Sequence, residues 1–193
     1  MDLTPIPSQT AGPFFHLGLT LRGPIACLVT PQTIGERLRL TCCVFDGDGI
    51  PVNDALLEIW QADADGHYYL PGKTQEPTPK DFHGFGRLAT DENGQCTFET
   101  IRPGRVPGNA PGNADALQAP HISVSVFARG TLVRLATRIY FAGDPANDED
   151  YILALAPAGR RDTLLAHPQE GDAGAWRFDI HLCGEKETVF FDV

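Results

Sequence analysis

The sequence predicts an all-β fold, an antiparallel β-sandwich with long loops and one or two short helices. Three observations carry this expectation. Short apolar and β-branched runs recur along the chain, and tight turn signals such as "DGDG" and "DENG" separate them. The only helical candidates are the short stretches "DEDYILALA" (148–156) and "GRRDTLLAH" (159–167). Eight or so strands punctuated this way argue for a sandwich or barrel.

Each element follows from its own residues. Residues 2–24 form an arm with four prolines and a Phe14–Phe15 pair, without strand or helix period. An apolar arm of this kind lies against something, either its own core or another subunit. "ERLRLTCCVFD" (36–46) reads as a strand ending in a turn, and "ALLEIWQAD" (55–63) follows. "LPGKTQEPTPKDFH" (70–83) is a proline-rich loop, after which "FHGFG" suggests a close backbone approach at its glycines. "GFGRLATD" (84–91) follows, and the turn "DENG" leads into "QCTFETI" (95–101), which alternates between polar and apolar side chains. "RPGRVPGNAPGNADALQAP" (102–120) is a second long loop, and loops of this length in a compact domain are usually functional or disordered. "HISVSVFA" and "LVRLATRIYF" are joined at "RGT" as a hairpin. "AWRFDIHL" and "ETVFFDV" are the last two strands. We read residues 1–193 as one domain with residues 1–24 as its extended arm.

Composition narrows the function. The 193 residues are 42% hydrophobic and 21% charged, with no apolar run long enough for a membrane span and no secretory leader. A net charge of −10 disfavours nucleic acid and anionic membranes, so an anionic ligand would need a local arginine. The five cysteines (Cys27, Cys42, Cys43, Cys96, Cys183) show no metal-finger spacing, and they read as reduced, small core hydrophobes in a cytoplasmic protein. Asp63 and Asp65 read as turn residues. Trp60 and Trp176 both lie in strand contexts.

His121 begins the strand "HISVSVF" and shares a face with Ser123. An H-x-H at that spacing would be a bidentate metal pair, but a neutral hydroxyl is a poor substitute for imidazole. On residue types alone, His121 is a hydrogen-bonded structural residue. Arg129 stands at the hairpin corner, where a side chain reaches past the sheet; the commoner role there is a solvated turn arginine. Arg134 and Arg138 share a face and are expected to pair with the acidic surface.

Taken together, "PIPSQTAGPFFHLGL", "PVNDALLEIWQADADGHY", "GFGRLATDENGQCTFETIRPG", "APHISVSVFARG" and "WRFDIHLCGEKETVFFD" resemble the intradiol ring-cleaving dioxygenases. The likeness covers nearly the whole chain. It is greatest to the alpha chains of those members built from alpha and beta chains. The resemblance implies a β-sandwich and a ferric ion held by two tyrosines and two histidines. It also implies insertion of both atoms of O2 into a catechol. In the two-chain members the iron sits in the beta chain, and αβ protomers assemble into larger oligomers.

Against that pattern, the metal pair falls on His121 and Ser123, and a tyrosine expected in a "PGPY"-like stretch falls on Val106. The other tyrosine is expected in or near "PTPKDF", which contains none, while Tyr68 and Tyr69 read as packing residues. The resemblance therefore implies that this chain holds no metal and that Fe(3+) is bound by a partner beta subunit. It further implies that Thr10, Ala11, Gly12, Pro13 and Arg129 contact the substrate, with Phe15 packing the arm down. The substrate implied is protocatechuate, a small carboxylated catechol cleaved to 3-carboxy-cis,cis-muconate in aromatic catabolism. A stand-alone, non-catalytic β-sandwich binding module is the alternative. A self-sufficient dioxygenase with unusual ligands is the remaining one.

Overall fold

The computed structural model describes residues 7–12, 14–21, 23–68, 81–108, 110, 112–113 and 115–192. In chain order the elements are α1 (Phe15–Thr20), β1 (Arg37–Phe45), β2 (Leu56–Gln61), β3 (Phe85–Ala89) and β4 (Gln95–Ile101). A two-residue pair follows, β5 (Val106–Pro107) and β6 (Leu117–Gln118). Then come β7 (His121–Phe127), β8 (Leu135–Phe141), α2 (Tyr151–Leu155), β9 (Leu165–Pro168) and β10 (Ala175–His181). 3-10 segments at Pro145–Glu149 and Ala158–Leu164 flank α2.

The eight longer strands form one curled sheet in the order β3-β2-β7-β8-β9-β10-β1-β4. β9 joins its two halves, bonding β8 on one side and β10 on the other. Inward residues alternate along each strand as the period of two requires. Ile122, Val124 and Val126 of β7 thus meet Leu40, Phe98, Phe178 and Ile180 of the opposite half in one buried cluster. Burying a phenylalanine such as Phe98 contributes about 2–3 kcal/mol. Gly86 is needed in this packing, because a Cβ there would come within 2.9 Å of the Phe98 ring. At Gly84 a Cβ would strike the Gln61 carbonyl oxygen at 2.4 Å. Both glycines of "FHGFG" are therefore close approaches, as their sequence suggests.

The sandwich is not wholly antiparallel. β1 runs parallel to β10, and β8 runs parallel to β9. The second pairing follows from the helical crossover between Phe141 and Leu165, which brings the chain back in the same direction. Other expectations are corrected locally. The arm contains the short helix α1, whose turn closes with Gly18 N–H donating to Phe14 O. The long loop after β4 contains the β5·β6 ladder. "GRRDTLLAH" divides into a 3-10 turn and β9. β8 starts only at Leu135, and Leu132 and Val133 before it are exposed.

"ETVFFDV" is not a strand. Thr188 bonds His181 through both its amide and its hydroxyl, and a single bridge joins Phe191 to Ala136. Cys42, Cys43 and Cys96 are core residues, but Cys27 and Cys183 are exposed. Among the described residues, no helix is long and apolar enough to cross a membrane.

Candidate functional site

The non-core face of β7 carries His121, Ser123, Ser125 and Phe127 in a row. Its far end is the corner at Arg129 and Gly130. There Gly130 N–H donates to Thr10 Oγ1 at 2.8 Å, and Phe15 lies against Phe127 with ring centroids 5.4 Å apart. The arm is thus laid onto the corner by one hydrogen bond and one aromatic contact, and Phe15 packs it down as expected. Gly130 takes a positive φ of 88°, which turns the chain back toward β8.

Arg129 pairs through Nε with Asp54, and its side chain remains 60% exposed. Asp54 is 13% exposed, and its second oxygen, Oδ1, is buried without a hydrogen bond. Ala11 is half-buried and Gly12 is exposed, with open space on the side where a Cβ would stand. Pro13 lies outside the described residues. The structure therefore brings together Thr10, Ala11, Gly12 and Arg129.

The opposite end of β7 is closed. Val106 is buried on the β5·β6 ladder, facing Gln118 across it. His121 is buried, with Nδ1 2.8 Å from the Ala119 carbonyl oxygen. Burial, and next the Arg138 guanidinium, push the His121 pKa down from 6.5 to about 4. Ser123 stands opposite Arg138 on β8 and opposite Trp60 on β2.

Arg138 Nη1 donates to Gln118 Oε1 at 2.6 Å and reaches the Tyr140 hydroxyl at 3.5 Å. Tyr140 in turn donates to Asp150 Oδ1 at 3.3 Å. Burial and the Asp150 charge raise the Tyr140 phenol well above its ordinary range. Tyr68 stacks on Trp60 with an interplanar angle of 2°; burial raises its phenol while the Arg138 charge opposes the rise. Tyr68 is therefore a packing residue, as its sequence context suggests, and it also belongs to the surroundings of Arg138. The clue in the sequence is weak: an aromatic a few residues beyond Trp60.

Arg134 and Arg138 do not pair with carboxylates among the described residues, contrary to expectation. The reason lies in the face they occupy. Its carboxylates are engaged elsewhere, Glu58 by Arg87 and Asp150 by backbone amides, which leaves hydroxyl and amide partners.

The ferric ion implied by the resemblance does not fit these residues. Val106 offers hydrocarbon and Ser123 a neutral hydroxyl, and a guanidinium stands across from Ser123, where it repels a further cation. Asp63, Asp65 and His67 bring ligand atoms within 4.8 Å of one another on the exposed loop after β2. Asp63 Oδ1 there accepts the amides of Asp65 and His67, which is a turn, as expected.

The Dioxygenase family matches residues 11–184. The alpha chain of protocatechuate 3,4-dioxygenase from Pseudomonas putida is 43% identical, over 96% of this chain and 95% of that one. The beta chain of the same enzyme from Burkholderia cepacia is 38% identical, over 81% of this chain and 68% of that one. Among solved structures, the dioxygenase domain of a dioxygenase–carbohydrate-binding fusion from Streptomyces sp. SirexAA-E superposes with a TM-score of 0.63. It is 30% identical and covers 96% of this chain and 100% of that one. With a family match over residues 11–184 and 43% identity to an alpha chain over nearly its whole length, the chain belongs to the intradiol dioxygenases.

Proposed function

We propose that this chain is the non-iron-binding alpha subunit of a protocatechuate 3,4-dioxygenase and completes the active site of an iron-bearing beta subunit. The observation that carries this reading is the Thr10–Gly130 hydrogen bond, which holds the arm beside an exposed arginine. Arm and corner together offer a flat backbone edge, a cation and open space. A planar ring bearing a carboxylate needs these three things. Iron held by the beta chain would supply the chemistry that breaks the bond between the two hydroxyl-bearing carbons and adds one atom of O2 to each, giving 3-carboxy-cis,cis-muconate.

This chain's part is positional. Arg129 donates to the substrate carboxylate from its terminal guanidinium nitrogens, its Nε being paired with Asp54, and Thr10 to Pro13 line the ring and keep water from it. In this proposal residues 1–193 act as one domain, with the arm at the subunit boundary of an αβ protomer in a larger oligomer. Three buried, unjoined cysteines suit a reducing cytoplasm.

Co-expression with a beta chain carrying all four iron ligands tests the proposal. The two chains are expected to co-purify with one iron per pair, and ring cleavage is expected only in the mixture. One tightly held iron in this chain purified alone would overturn it. A monomer without affinity for any such beta chain would favour a non-catalytic binding module.

Within the assembled enzyme, Arg129→Ala is expected to lower kcat/KM for protocatechuate about tenfold or more, as loss of charge-assisted hydrogen bonds does. Catechol, which lacks the carboxylate, should lose far less. Equal losses for the two substrates would remove the carboxylate-steering role.

A further inference from the structure

Beyond the Arg129 corner, the same face of the sheet has a second opening. It is a pocket of about 340 Å³ floored by β7 and β8, between α2 and the C-terminal segment. Arg134, Arg138, Ser123, Ser125, Thr137 and one carboxylate, Asp192, supply its polar lining, and Ile152, Leu155 and Phe191 its apolar wall. The volume falls at the small end of ligand-binding cavities.

Two features of this lining are unusual in a chain of net charge −10. Neither arginine has a carboxylate partner among the described residues. Their hydrogen-bond acceptors are all neutral: Ser125 Oγ at 3.3 Å for Arg134, and Gln118 Oε1 and the Tyr140 hydroxyl for Arg138. Arg138 stands on β8 and Arg134 immediately before its first residue, four positions and thus about 13 Å apart along extended chain. Arg134 reaches Ser125, whereas Arg138 reaches the His121 end, so the two charges are separated and not bundled. The nearby acids do not neutralise them. Glu58 is paired with Arg87, Asp150 is occupied by amides and a phenol, and Asp192, an exposed residue of the lining, makes no ion pair with either arginine.

Two unneutralised cations at opposite ends of a cavity with hydroxyls and an apolar wall between them call for a particular ligand. We propose that this pocket binds a small organic dicarboxylate, one carboxylate to each arginine and its hydrocarbon middle against Ile152, Leu155 and Phe191. Ser123 contributes at the inner end. Where a metal ligand would have stood, its hydroxyl leaves room for, and donates to, an anion bound to Arg138. The face that does not fit a ferric ion is thereby an anion site. Every residue of this lining comes from this chain.

Calorimetric titration of the full chain with adipate, hexanoate and inorganic phosphate tests the proposal. Adipate is expected to bind saturably with one site per chain, and hexanoate, which keeps one carboxylate, about tenfold more weakly. Arg134→Gln and Arg138→Gln should each reduce adipate to the affinity of hexanoate, while Arg39→Gln, at a surface arginine paired with Asp172 outside the pocket, should leave it unchanged. Ser123→Asp, which places a carboxylate opposite Arg138, should abolish adipate binding and raise the melting temperature, so that lost binding in that variant is not mistaken for misfolding. Equal affinity for adipate and hexanoate would overturn the two-arginine bridge. Binding of phosphate as tight as adipate would overturn the dicarboxylate class, and loss of binding in Arg39→Gln would place the site elsewhere.

Discussion

Asp150→Ala is expected to cost about 3 kcal/mol of folding stability, a large share of what holds a domain of this size together. The carboxylate is 1% exposed and answers four donors. Oδ2 accepts the Ala119 amide at 2.7 Å, and Oδ1 accepts the Ile152 and Leu153 amides at 2.9 and 2.8 Å and the Tyr140 hydroxyl. It thus caps α2, ties that helix to the segment entering β7, and holds the phenol that adjoins Arg138. Alanine would leave these donors unanswered in a dry interior, where each orphan costs about 1–3 kcal/mol before relaxation. An asparagine side chain keeps one accepting oxygen, so Asp150→Asn should lose about half as much. Urea unfolding of the three proteins at pH 7 measures this. A loss below about 0.5 kcal/mol for alanine would show that water replaces the carboxylate, and that the cap is not what holds α2.

The second large effect is a dependence of stability on pH that traces to His121. Its imidazole is neutral in the folded protein down to about pH 4, whereas in the unfolded chain it protonates near 6.5. Above pH 6.5 neither state holds the proton, and the group's contribution to stability is complete. As pH falls from 6.5 toward 4 the unfolded chain takes up a proton that the folded chain refuses, and stability is lost over that window. Below about 4 both states are protonated and the loss stops. The gap corresponds to about 3 kcal/mol.

Carboxylates titrate over part of the same range, so the measurement is a difference. Unfolding free energies of the wild type and of His121→Gln should converge, or cross, by about 3 kcal/mol between pH 7 and pH 4. Parallel curves would mean that His121 is wet. Because Arg138 is the second cause of the depression, Arg138→Gln should narrow the window from below.

Much of the framework was legible in the residues. β4 has the bounds that alternation assigns it, and β1, β2, β3, β7 and β10 lie inside the stretches read as strands. Period-two burial and turn glycines are local signals, and they suffice there. "ETVFFDV" has the same local signals but is held by the Thr188 hydroxyl and one bridge, which only the fold supplies. "GRRDTLLAH" looked helical because its leucines mimic a helical spacing, yet Leu164 and Leu165 straddle the change from a 3-10 turn to β9.

At the site, the gathering of Thr10 and Arg129 was legible through family likeness and not through spacing, since 119 positions separate them. The Arg138 cluster was not legible. It assembles Tyr68, Gln118 with His121, and Tyr140 from three places in the chain around one guanidinium. No local pattern marks an arginine whose expected acidic partners are engaged elsewhere.

The parallel pairing of β1 with β10 bears on how the chain is made. Residues 37–45 leave the ribosome early and find β4 soon afterwards, but their other edge stays open until residues 175–181 emerge. For most of synthesis that edge is an apolar template in a concentrated milieu. Closing it joins segments about 136 positions apart, a long-range contact of the slow kind. A nascent chain of this design gains from a binding partner or chaperone that covers β1 until the final strand arrives. Truncations that remove β10 should therefore aggregate and not merely lose stability.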